Sequence, residues 1–232
     1  MGSDREELFK KRRRHRRERK ENAKKRAPYR YLIVCEGGRT EPNYFEGIKN
    51  RINAKYSNSV RVEEKIEIDI EGTGRSAIDL VNYTEYMINR SVMPYGNVWV
   101  IFDKDDNTDQ DFNDDINRAH SKGYKTGWSN EAIELWFLLH FEYMNTGITR
   151  QQYCDKLTKH FKQFGIEKYE KNMKDIFELL MDKGCLDEAI KRAERLLKMH
   201  EEKRNIRSKA KMNPATTVFE LVKELRTYFY EE

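Results

Sequence analysis

Glu36, Glu41, Asp103 and Asp105 are the residues of this chain whose type and spacing point to chemistry. Glu36 closes the apolar run Leu32-Ile33-Val34-Cys35, and Asp103 closes Val98-Trp99-Val100-Ile101-Phe102, with Lys104, Asp105 and Asp106 directly after it. A short apolar run that ends abruptly in carboxylates reads as a buried strand delivering acids to the carboxyl edge of a parallel sheet. Two such ends on neighbouring strands make a cation site. Oxygen ligands suit Mg²⁺ or Mn²⁺, the ions of phosphoryl transfer, whereas Zn²⁺ more often recruits His and Cys. In strand geometry Asp103 and Asp105 point to the same side and grip one ion, while Asp106 faces away. Gly37 and Gly38 let the backbone turn sharply after Glu36 and approach a ligand closely. Glu41, just before Pro42, reads alone as an acid at a helix start and, combined with Glu36, as a further metal ligand. A DxD alone is a common capped turn. Four clustered carboxylates, however, repel one another unless a cation neutralises them, so a metal is the simpler account.

The elements that must position these acids follow from the pattern after Pro28, where short apolar runs alternate with amphipathic stretches. Strands are expected at 30–35, 62–70, 97–103 and 124–128, with helices between them at 42–56, 75–91 and 111–121. Short right-handed crossovers then give an α/β fold, a mostly parallel sheet of about four strands flanked by helices. From Glu131 onward the pattern turns helical. Ala132, Leu135, Trp136, Leu138 and Leu139 form a broad apolar face, and stretches near 149–162, 168–182, 185–205 and 215–230 keep helical spacing, with Gly147, Gly165 and Gly184 as breaks. The expected organisation is a basic leader over 1–27, an α/β domain over 28–144, and an α-helical C-terminal extension over 145–232 packed on or beside it.

Several side chains accompany the acids. Arg39 and Lys104 read either as stabilisers of charge on a phosphate or as surface charges balancing the carboxylates. Gly72-Thr73-Gly74-Arg75-Ser76 is more simply a βα turn than a phosphate cradle, since it lacks the Lys of a P-loop and the third glycine of a dinucleotide fingerprint. Ser129-Asn130-Glu131 reads as a helix N-cap region at the same sheet edge as the acids, which makes Asn130 a candidate substrate contact and Glu131 a secondary one. Glu134 and His140 sit in the apolar helix, where a histidine is more often packed than catalytic. Asn213-Pro214 reads as a helix start with Pro214 at its first position.

The charge is uneven. The chain has 232 residues and a formal net charge of +5, but residues 1–26 hold 13 Lys and Arg against 5 acids, so the remainder is slightly acidic. The run containing Lys11, Arg12, Arg13, Arg14, Arg16 and Arg17 attracts a polyanion by counterion release; its bland reading is a solvated tail. No apolar stretch approaches the ~20 residues of a membrane span and no secretory leader is evident, so a cytoplasmic location without membrane association is expected. Cys35, Cys154 and Cys185 form no CxxC pair and are read as reduced thiols. No HExxH, GxSxG or Cys-His arrangement invites a protease, an esterase or a zinc enzyme.

Glu36-Gly37 at one strand end and Asp103-x-Asp105 at a later one resemble the Toprim domain of topoisomerases, primases and related nucleases. Within that superfamily, Val34-Cys35-Glu36-Gly37-Gly38-Arg39-Thr40-Glu41-Pro42-Asn43-Tyr44-Phe45 resembles the signature of the RloB-like family. Val100 to Asp106, Ser129 to Glu142 (with Glu134 and His140) and Asn213 to Val218 agree with it. The sequence departs from the family pattern at Gly38, where an acidic residue is expected. The resemblance implies a Toprim-like sheet and cleavage of phosphodiester bonds, with Asp103 and Asp105 holding Mg²⁺, Glu36 as ligand or general acid and base, and Glu41 supporting a second ion. Topoisomerase chemistry needs a nucleophilic tyrosine in a separate large domain, for which this chain is too short, so hydrolysis is expected. The implied partners are DNA, tRNA or another RNA and a separate ATPase protein in bacterial defence against phage, with oligomerisation left open. The alternative is a nucleic-acid-binding or regulatory subunit that keeps the scaffold without turnover.

Overall fold

The computed structural model describes residues 10–11, 29–56, 66–74, 77–105, 107–203 and 208–230. The leader residues Arg12, Arg13, Arg14, Arg16 and Arg17, together with Asp106, lie outside this set, and Lys11 is exposed. The chain forms β1 (Arg30–Cys35), α1 (Thr40–Tyr56), β2 (Glu67–Gly72), α2 (Ala77–Arg90), β3 (Asn97–Asp103), α3 (Asp109–Ser121) and β4 (Lys125–Ser129). Then follow α4 (Glu134–Leu138), α5 (Arg150–Lys162), α6 (Ile176–Lys183), α7 (Leu186–Glu201), a 3₁₀ turn (Lys209–Lys211) and α8 (Val218–Phe229).

All four strands are parallel, in the order β2-β1-β3-β4. Side chains of β1 and β3 alternate between two cores. Tyr31, Ile33, Cys35, Trp99 and Ile101 pack under α1 and the later helices, whereas Leu32, Val34, Val98, Val100 and Phe102 pack under α2 and α3. Burial on both faces explains why these strands read as continuous apolar runs rather than alternating ones. Successive strands add on one side of β1 and then on the other, so the order reverses between β1 and β3. In parallel sheets the crevice beyond the carboxyl ends at such a reversal is where ligands bind.

The strands at 30–35 and 97–103 have the expected limits. β2 runs to Gly72 rather than ending at 70, because Glu71 and Gly72 continue the register opposite Val34 and Cys35; residues 62–65 of the expected strand lie outside the described set. α3 starts at Asp109, two residues early, since Thr108 caps it by accepting from the Asp111 amide at 3.1 Å. The expected helix over 168–182 forms only from Ile176. Before it, Tyr169 is drawn into the core, and Thr40 and Asn43 donate to the carbonyls of Lys171, Asn172 and Met173, which holds the backbone in turns. The apolar stretch after Glu131 contains one short helix, α4, whose residues are all buried.

The reading of Asn213-Pro214 as a helix start is corrected. The Asn213–Pro214 peptide is cis, and α8 begins only at Val218. The intervening residues run antiparallel along the outer edge of β4: Asn130 N–H donates to Ala215 O, Thr217 N–H donates to Trp128 O, Thr217 Oγ1 accepts from the Trp128 amide, and Ser129 and Thr216 form a bridge. Edge pairing satisfies backbone groups that a helix start would leave open. Ser129 and Asn130 are accordingly not a helix cap. The Asn130 side chain is 1 % exposed and donates to the carbonyls of Lys209 and Ala210 at 3.1 and 2.9 Å. Asn130 thus fastens the C-terminal segment and is not free to meet a substrate. Asn130→Ala is expected to cost about 1–3 kcal/mol of folding stability by orphaning those carbonyls, read as a lower urea midpoint with an unchanged slope.

Candidate functional site

Glu36 is the first residue after β1. Its amide donates to Ile101 O at 2.9 Å, and its carboxylate accepts from the Asp103 amide at 3.2 Å, so the side chain spans from one strand end to the other. Burial raises this carboxyl to about 7, with the negative charges of Glu41 and Asp105 adding to the shift, while the Asp103 amide and Arg150 oppose it.

Glu41 occupies the first turn of α1 and is 5 % exposed. Its carboxylate folds back over the β1–α1 loop into the space that a side chain at Gly37 would fill; a Cβ there would lie 2.0 Å from Glu41 Oε2. Burial, followed by the negative charge of Glu134, raises its pKa, against the pull of nearby backbone amides and of Arg150. Asp103, the last residue of β3, is 7 % exposed and is raised well above the usual carboxylate range by burial and by the charges of Glu41 and Glu134.

β3 ends at Asp103, and Asp105 follows in a left-handed backbone conformation (φ 39°), so strand alternation does not govern the DxD pair. The two acids nevertheless meet. Arg150, the first residue of α5, donates from Nη1 to Asp105 Oδ2 at 2.7 Å and from Nη2 to Asp103 Oδ2 at 3.2 Å. Burial works against its charge, but Asp103, Asp105 and Glu134 more than offset that and raise its pKa. Glu131, with φ 76°, joins the two elements: its carbonyl accepts from the Asp105 amide and its carboxylate accepts from the Arg150 amide, both at 3.2 Å.

A pocket of about 150 Å³ opens here, lined by Gly37, Thr40, Glu41, Asp103, Ile133, Glu134, Arg150 and Lys171. Glu134 is promoted by this geometry: it is 2 % exposed, lines the pocket, and accepts from the Tyr169 hydroxyl at 3.1 Å. His140 is not part of the lining. It lies at the end of the α4 segment with Nδ1 3.1 Å from Trp136 O, and burial lowers its pKa to about 4, so it is a neutral packing group. Lys104 is turned towards the start of α3, 3.2 Å from Asp109 Oδ1 and 3.3 Å from Asn107 O, which withdraws it from a phosphate role. Arg39 is exposed and precedes the lining residue Thr40. Gly72 and Thr73 make a βα turn against Pro42 and Cys35 O, and Arg75 and Ser76 lie outside the described residues.

The donor set fits a hard divalent cation in kind, since it is all carboxylate. In the observed rotamers, and among the described residues, no group of three or more His, Cys, Asp or Glu side chains is placed to hold a metal ion. The position between Asp103 and Asp105 is instead taken by the Arg150 guanidinium. Arg150, Tyr169 and Lys171 are site residues that sequence reasoning missed. Thr149-x-x-Gln152, whose two side chains form a reciprocal cap on α5, is a legible signal that would have put Arg150 at a helix start.

The raised Glu36 carboxyl gives a pH dependence with a definite sign. Its ordinary value is 4.5 and its folded value about 7, so between these the folded protein holds a proton that the unfolded chain has released, and stability falls as pH rises. Asp115, raised to about 6 by burial, contributes in the same direction. His140, lowered to about 4, works in the opposite sense below its ordinary 6.5, so in EDTA the unfolding temperature is expected to fall from about pH 6.5 to about pH 8, and to fall less in Glu36→Gln. Scanning fluorimetry across that range checks this; equal slopes for the two proteins would exclude Glu36 as the source.

An α/β protein with buried acids gathered at the carboxyl edge of a parallel sheet is thus defined by fold and site together. The chain belongs to the RloB-like family: the family model described as RloB-like protein matches residues 31–225, which include every acid of the pocket. No curated protein and no solved structure matches the chain. No helix among the described residues is long and apolar enough to cross a membrane.

Proposed function

We propose that this protein is a Toprim-type nuclease that cleaves phosphodiester bonds with Mg²⁺ or Mn²⁺, acting in the cytoplasm as an effector of bacterial defence against phage, with an ATPase protein as partner. The observation that carries the reading is the convergence of Glu41, Asp103 and Glu134, from the start of α1, the end of β3 and the start of α4, on one small pocket at the reversal of strand order, with Glu36 at the end of β1 bonded to the Asp103 amide beside it. Carboxylates held together in this way, with two of them raised well beyond their ordinary range, are costly in a folded protein unless function requires them. Asp103 and Asp105 would hold the ion, with Glu36, Glu41 and Glu134 as the further carboxylates that could turn towards it by a change of rotamer. Bound there, the ion would supply charge stabilisation to the phosphate and activate water. Glu36, titrating near neutrality, suits the transfer of a proton during hydrolysis. Arg39, exposed beside the pocket, suits contact with the substrate backbone.

One observation favours the second reading, a nucleic-acid-binding or regulatory subunit without turnover: the Arg150 guanidinium already bridges the two acids of the DxD pair. The decisive experiment is incubation with plasmid DNA, single-stranded DNA and total tRNA in Mg²⁺, Mn²⁺ or EDTA, beside an Asp103→Ala control. Cleavage that needs both metal and Asp103 establishes the nuclease and its substrate class. If nothing is cut, and deleting residues 1–26 abolishes salt-dependent nucleic-acid binding, the regulatory reading takes its place.

A further inference from the structure

The geometry points to Arg150 as a positioning residue that competes with the divalent ion for the carboxylates of Asp103 and Asp105. This inference rests on the metal-dependent reading above. The two Nη nitrogens bind oxygens of two different acids, at 2.7 Å and 3.2 Å, so the guanidinium lies where an ion shared by both acids has to sit. The backbone of Arg150 is held in place, because its amide donates to Glu131 Oε1 and the reciprocal Thr149–Gln152 cap closes the start of α5 around it. The side chain is not fixed to the same degree. It is 27 % exposed, and Nε is buried with no hydrogen-bond partner among the described residues, so one of its donors gains by a change of rotamer.

The charges explain why such a residue is useful. Glu36, Glu41, Asp103, Asp105 and Glu134 lie around Arg150, and Lys171 is a second cation of the pocket lining. A buried carboxylate left without a counter-charge is strongly destabilising. Arg150 supplies that charge and holds the carboxylates of Asp103 and Asp105 on a single guanidinium. A divalent ion carries twice the charge in a smaller radius and is attracted more strongly to the same oxygens. It takes the position, and the guanidinium leaves by its exposed side. The exchange moves no covalent bond; it replaces one cation by another.

Competition predicts an effect opposite in sign to that of ordinary structural support. Mn²⁺ titration by calorimetry, which needs no turnover, should show Arg150→Ala binding Mn²⁺ about tenfold or more tightly than the wild type, as expected when a charge competitor is removed. The same variant should unfold at a lower temperature in EDTA and recover more than the wild type does when Mn²⁺ is added. Arg150→Lys, which keeps the charge without the fork, should fall between the two and serves as the test if Arg150→Ala does not fold. Equal or weaker Mn²⁺ binding by the folded variants would overturn the competition while leaving a metal site in place. Absence of Mn²⁺ binding in all three proteins would overturn the metal-dependent reading itself, and the competition with it.

Discussion

Asp103→Asn is expected to reduce metal-dependent cleavage by roughly a hundredfold or more, to remove the rise in unfolding temperature on adding Mg²⁺, and to leave the protein in EDTA at pH 8 no less stable than the wild type. The three effects have one cause. Asp103 is buried at the end of β3 with its charge opposed by desolvation and by Glu41 and Glu134, so a neutral isostere relieves the EDTA-treated fold rather than harming it. An amide oxygen still accepts from Arg150 Nη2, which preserves the local packing. What the variant lacks is the charged oxygen that an ion requires. Plasmid or tRNA cleavage and a thermal-shift series in EDTA and Mg²⁺, run on the same preparation, separate the functional loss from unfolding. Undiminished cleavage by a folded Asp103→Asn protein would remove Asp103 from the chemistry.

Gly37→Ala is the second change with a large expected effect. A Cβ at this position would stand 2.0 Å from Glu41 Oε2 and 2.6 Å from Glu41 Cδ, distances that no atoms tolerate. The carboxylate must therefore move or the β1–α1 loop must shift. Either outcome disturbs the site: a displaced Glu41 carboxylate leaves the pocket that it lines, and a shifted loop carries Glu36 away from the Asp103 amide. A displacement of about 1 Å among reacting groups costs on the order of a hundredfold in rate, and the overpacking costs roughly 1–3 kcal/mol in stability. Gly38→Ala is the control: nothing lies within 4 Å of its would-be Cβ, so it should leave both properties near wild type. Similar losses in the two variants would show that loop flexibility, not the space occupied by Glu41, is what matters.

The parts of the fold legible in the sequence were those governed by a local rule. β1 and β3 announced themselves because a strand buried on both faces is apolar throughout and stops where its carboxylates begin. The same rule brought out Glu36 and Asp103, and the chain direction of a parallel sheet put them at one edge. Asp105 joined them for a different reason from the one that alternation suggests: its left-handed backbone, held by Glu131 O, turns it back to Arg150. What stayed illegible depends on chain segments meeting across long separations. Turns replace the expected helix before Ile176 because the carbonyls of Lys171, Asn172 and Met173 are satisfied by Thr40 and Asn43, about 130 residues earlier, which local spacing does not encode. The path of 215–217 is set by the open edge of β4, which no pattern within 213–217 encodes. Arg150 looks in the sequence like any other charged helix residue, and only the folded chain brings it 45 and 47 positions back to Asp105 and Asp103.

The two margins of the sheet also decide how copies of this chain behave towards one another. An unpaired strand edge is a template for edge-to-edge growth, and proteins that remain dispersed block it with a covering segment or with charge. Here β4 is occupied along its outer side by residues 215–217, and β2, at the opposite margin, carries Glu67, Asp69 and Glu71. One margin is closed by the chain's own tail and the other is guarded by acids, so a ribbon continuing from molecule to molecule is disfavoured at both ends. Losing the segment from 213 onward would therefore do more than remove a helix: it would leave the outer margin of β4 open to pairing with another chain.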